Sequence, residues 1–161
     1  MLLALASSAA AQSVQPQPEA RAIEAAQAEI EALLNGGRFE IIREVTPGRR
    51  DRIRRAIVAV RHPRHCLTEM QVRFLEQPVG STPSSPQRFD WSALESGGFK
   101  SANRVSYTVR PAAIPETLPP GSREIRRAEQ RAPHYFLAPG ETEAARLAQA
   151  ARTMIRYCRP Y

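Results

Sequence analysis

The clearest pattern in the chain covers residues 66–74, Cys-Leu-Thr-Glu-Met-Gln-Val-Arg-Phe. Cys66, Thr68, Met70, Val72 and Phe74 share one parity, and Glu69, Gln71 and Arg73 share the other. Strict alternation of this kind predicts a strand with one buried face. Residues 38–45 also read as a strand, with Phe39, Ile41, Arg43 and Val45 set against Arg38, Glu40, Ile42 and Glu44. So do residues 103–110, where Val105, Tyr107 and Val109 face one way. Residues 56–61 (AIVAVR) and 134–137 (HYFL) add two short apolar runs that read as strands. Short connections between most of these runs favour antiparallel pairing, since parallel neighbours need long crossovers.

Helical spacing replaces alternation near both ends. Residues 19–35 place Ala22 or Ile23, Ala26, Ile30, Leu33 and Leu34 on one stripe, with Glu19 in the first turn and Gly36-Gly37 as the stop. Residues 141–158 carry Ala144, Leu147, Ala148, Ala151, Met154, Ile155 and Cys158 along one stripe. Glu141 and Glu143 stand at its start and Arg152 and Arg156 near its end, in agreement with the helix dipole. These patterns predict an α+β domain: a four- to five-stranded antiparallel sheet with the N-terminal and C-terminal helices packed on one face. Its other face keeps arginine, serine and threonine in water.

Between these elements the pattern fails. Residues 77–87 (QPVGSTPSSPQ) read as a loop. Residues 89–94 fit either a single helical turn capped by Asp90 or Ser92, or a short strand showing Phe89 and Trp91. Gly97-Gly98 ends that segment. Residues 111–133, with five prolines and the charged run at 123–131, read as a surface excursion containing one or two turns of helix.

At 161 residues the chain suits one domain. Residues 1–12, MLLALASSAAAQ, resemble the end of a signal peptide, with Ala9-Ala10-Ala11 as cleavage chemistry. Residues 13–18 form a proline-containing linker, and the domain occupies residues 19–161. No segment approaches the ~20 apolar residues of a membrane span. Export predicts a periplasmic or secreted location, and an oxidising compartment would pair the two cysteines, Cys66 and Cys158, as a structural disulfide. A cytosolic protein would instead keep both thiols reduced.

The net charge of +7 arises from 22 arginines and one lysine, Lys100, against 16 carboxylates. Arg49, Arg50, Arg52, Arg54 and Arg55 form the densest cluster and a candidate anion-binding patch. Basicity promotes encounter with polyanions without naming one. The cluster lacks the aromatics that stack on bases and includes Asp51, which disfavours nucleic acid. The partners it suits are an envelope protein or an anionic surface component such as lipopolysaccharide.

Catalytic motifs are missing: no Gly-x-Ser-x-Gly, no phosphate-binding glycine loop, no His-Glu-x-x-His. His62, His65 and Cys66 are close in sequence, but strand parity sends the two histidines to opposite faces and Pro63 makes a turn. A solvent-exposed turn is expected there, with no metal and no cofactor. The expected role is a small exported bacterial protein that binds a partner or serves a structural purpose in the periplasm or envelope, without catalysis. The alternative is a hydrolase-type enzyme with its site near residues 111–133, joining His134 to Asp90 or a glutamate.

Overall fold

The computed structural model describes residues 17–75, 86–132 and 134–159. In chain order the elements are α1 (Pro18–Leu34), β1 (Arg38–Thr46), β2 (Arg49–Arg64), β3 (Leu67–Phe74) and β4 (Gln87–Asp90). A 3-10 turn (Trp91–Ala93) leads to β5 (Leu94–Ser101), β6 (Arg104–Val109), α2 (Pro120–Arg131), β7 (His134–Leu137) and α3 (Glu141–Cys158). The loop expected at residues 77–87 and the leader at 1–12 lie largely or wholly outside the described residues.

The fold is α+β, as the pattern predicts, but its antiparallel sheet has seven strands rather than four or five, ordered β4-β3-β2-β1-β7-β6-β5. The arginine cluster is the first half of the 16-residue β2, which extends beyond the strand expected at residues 56–61 at both ends. Residues 87–94 satisfy both expectations in succession, a strand up to Asp90 and then the 3-10 turn, with the Asp90 carboxylate accepting from the Ser92 backbone N–H at 2.9 Å. Gly97-Gly98 does not end the segment. Both glycines lie within β5, where β-bulges break the ladder to β6. The excursion contains the 12-residue α2, longer than expected, lying against β1 and β6.

Strand parity is interrupted twice in β2, at Val58 and again between Arg61 and Arg64. Ile57 pairs with Val72 and Ala59 with Gln71, so Val58 is an extra residue. The bulge puts Ile57 and Val60, three apart, on the same buried face. Without it, Val60 would turn to solvent.

The sheet is strongly curled. β4 and β5 are its opposite edges, yet only the 3-10 turn separates them in sequence. Phe89 on β4 meets Tyr107 on β6 at 4.8 Å and Phe136 on β7 at 5.3 Å, closing the concave side across the sheet. Phe39, Ile57, Met70, Val72, Val105, Tyr107 and Phe136 fill that side with α1 and α3. The helices pack on each other, α1 against β2 and α3 against β5 and β6. Close approach of α3 to β5 depends on glycine. A Cβ on Gly98, whose φ is +77°, would lie 2.5 Å from Arg152 Cγ and 2.7 Å from the Ala148 carbonyl oxygen.

Cys66 and Cys158 form a disulfide, with sulfurs 2.06 Å and Cα atoms 5.5 Å apart. It joins the β2–β3 connection to the last residue of α3. Cys66 is not the first inward residue of the strand, as alternation suggests. It is a turn residue with φ +63°, left-handed backbone that costs a non-glycine residue about 1 kcal/mol. Among the described residues no helix is long and apolar enough to cross a membrane.

Candidate functional site

The five clustered arginines do not form one patch, because a strand sends alternate side chains to opposite faces. Pairing of Arg54 with Glu40 and of Arg52 with Ile42 puts Arg50, Arg52 and Arg54 on the convex face. Arg49 and Arg55 take the other parity, Arg49 at the exposed β1–β2 hairpin and Arg55 on the concave side.

Neighbouring strands enlarge the convex set. Along one row the register aligns Arg104, Leu137, Arg38, Ala56 and Arg73; a second row places Arg61 and Arg88 on either side of Glu69. Arginines from five strands therefore share one face, and sequence reading missed this because only Arg50, Arg52 and Arg54 are clustered in the chain, while Arg38, Arg73, Arg88 and Arg104 come from other strands.

Two buried glutamates sit among them. Glu40 is 1% exposed and Glu69 is 3% exposed. Arg52 Nε lies 3.0 Å from Glu40 Oε1, and an Arg104 guanidinium nitrogen lies 3.5 Å from Oε2. Glu69 accepts from Arg61 on one side and lies 3.4 Å from Arg88 Nε on the other. The Arg61 hydrogen bond is the main cause that holds the Glu69 carboxyl below its ordinary range. Each glutamate thus fixes two long side chains that would otherwise be mobile, and Arg104 also stacks over Tyr135 at 5.5 Å. Arg38, Arg50 and Arg54 are exposed beside these pairs.

Arg55 is different. Its row on the concave side reads Phe136, Phe39, Arg55, Phe74. The guanidinium lies 5.1 Å over the Phe74 ring, while Nε is buried with no hydrogen-bond partner among the described residues. An arginine stem covering apolar surface while its head reaches toward water explains the placement.

The residues weighed for metal binding or catalysis have local partners. His62 belongs to β2, and it is half-buried rather than part of an exposed turn. Its Nδ1 is 3.1 Å from Thr68 Oγ1, which accepts from the Trp91 indole at 2.8 Å. Burial pushes the His62 pKa below 6.5. His65 lies 3.4 Å from Glu24 of α1. No group of three or more His, Cys, Asp or Glu side chains suited to a metal occurs among the described residues. His134 is buried and stacked on Tyr107 at 5.3 Å, and burial raises the Tyr107 pKa well above 10. Asp90 hydrogen-bonds Ser92. Within the excursion, a shallow depression lined by Leu118, Ser122, Ile125 and Arg126 brings together no acid–base pair.

No family model, no curated protein and no solved structure matches this chain.

Proposed function

We propose that this chain is an exported, disulfide-tied protein with a non-catalytic role, which docks through its convex arginine face on an anionic partner of the periplasm or cell envelope. The observation that carries this reading is the convergence of arginines from five strands on one face, with Glu40 and Glu69 holding some of them in position. Arginine forks arranged in rows suit carboxylates and phosphates displayed on a surface. The disulfide is compatible with an oxidising compartment.

The test is salt elution from immobilised lipopolysaccharide. Arg50→Gln with Arg54→Gln is expected to lower the eluting salt concentration, while Arg55→Gln, on the other face, elutes with the parent protein. Equal elution of all three rejects the convex face. Export is tested separately by the mass of protein recovered without reduction and then alkylated, since alkylation of both thiols contradicts an oxidising location.

A further inference from the structure

A cleft of about 310 Å³ lies between the edge strand β5 and the last turns of α3. Gly97, Phe99 and Ile155 supply its apolar surface, and Arg152, Arg156 and Arg159 its charged rim. Phe99 is 63% exposed, the most exposed of the large hydrophobic side chains on the described surface. The cleft depends on the bulged Gly97-Gly98 segment: a Cβ at Gly97 would lie 2.8 Å from Ile155 Cδ1 and 2.9 Å from Tyr107 Cβ, so a larger residue would crowd its floor.

The three arginines are not equivalent. Arg152 donates to the Gly98 carbonyl at 2.7 Å and to Gln149 Oε1 at 2.7 Å. Arg159 donates to the Glu95 carbonyl at 3.4 Å. Both therefore occupy backbone acceptors of β5, which disfavours an added peptide strand at this edge. Arg156 stacks over Tyr157 at 5.4 Å, a contact through the guanidinium face that leaves its N–H edge for an acceptor.

We propose that this cleft binds a small amphiphile, a carboxylate on a short aliphatic chain. The chain lies on Phe99 and Ile155, and the carboxylate meets the Arg156 edge with Arg152 and Arg159 adding positive potential. A monoanion fits better than a phosphate because two of the three guanidiniums already donate to the protein. The volume falls at the small end of ligand sites, roughly 300–1,000 Å³. The cleft lies at the β5 edge and uses none of the convex arginines, so either site can fail alone.

The test is calorimetric titration of the intact, oxidised protein with decanoate, decanol, acetate and decyl phosphate. Decanoate is expected to bind saturably at one site, with decanol and acetate each weaker by about tenfold or more, since each lacks one half of the interaction. Arg156→Gln and Phe99→Ser, both at exposed positions, are each expected to weaken decanoate by about tenfold with the melting temperature unchanged. The Arg50→Gln, Arg54→Gln protein is expected to bind as the parent does. Absence of saturable decanoate binding, full binding by both cleft variants, or tighter binding of decyl phosphate would overturn the assignment.

Discussion

His62 shows how one half-buried side chain can set a pH response. Its Nδ1 lies 3.1 Å from Thr68 Oγ1, which also accepts from the Trp91 indole at 2.8 Å. Burial lowers the His62 pKa below its ordinary 6.5. The unfolded chain therefore takes up the proton first, and stability is lost as pH falls below about 6.5. Thermal melting across roughly pH 5 to 7.5 is expected to show this loss, and His62→Gln to flatten it; an unchanged slope in the variant would exclude His62 as the source. Glu69 acts in a lower range. Its lowered pKa means its contribution is present above the ordinary 4.5 and is lost as pH falls through the folded-state value. Glu69→Gln should remove that acid-limb dependence. Arg55 makes the opposite case, because its buried Nε has no hydrogen-bond partner among the described residues. Arg55→Met is expected to leave stability within about 1 kcal/mol or raise it, as measured by urea denaturation. A loss of several kcal/mol would show that the cation–π contact with Phe74 matters more than the unpaired nitrogen.

Among the elements, β5 departs furthest from its sequence pattern. Two adjacent glycines read as a terminator, yet here they continue a strand and admit α3 to its face. Gly48, in the β1–β2 hairpin, provides an internal control. Gly48 and Gly98 have φ of +81° and +77°, but a Cβ meets nothing within 4 Å at Gly48 and crowds α3 at Gly98. Gly48→Ala should cost about 1–2 kcal/mol from left-handed backbone alone. Gly98→Ala adds the overlap with α3 and should cost roughly 2–5 kcal/mol. Similar denaturation midpoints for the two variants would disprove the close-packing argument. Within β2, the bulge at Val58 is equally hidden from sequence, since alternation from Ile57 would place Val60 on the wrong face.

For the whole molecule, the controlling features are curl and cross-link. The β4 and β5 edges are brought round by the short Trp91–Ala93 turn, so Phe89 packs across the concave side instead of exposing an aromatic edge. The disulfide then holds the β2–β3 connection to the end of α3 across 92 residues. Chain entropy assigns such a loop about 4–5 kcal/mol, as an upper figure because reduced chains retain some structure. Reduction should lower the urea midpoint accordingly, and an unchanged midpoint would mean that helix packing alone fixes α3. The cross-link is legible from sequence because Cys158 falls on the buried stripe of α3 and no third cysteine competes, although Cys66 itself sits in a turn and not on the strand parity that alternation suggests.

The sequence by itself determines the α+β class, both terminal helices, the core parity of β1, β3 and β6, and the pairing of the two cysteines. These depend on local periodicity or on a count of two. Tertiary structure alone decides the seven-strand order, the Val58 bulge, the glycine passage for α3 and the assembly of arginines from β1, β2, β3, β4 and β6. Those features arise from which strands become neighbours, and neighbours in this sheet are as far apart in the chain as β1 and β7. A run of five arginines within seven residues reads as one patch; a strand divides it, and cross-strand register builds a larger one from residues that sequence keeps apart.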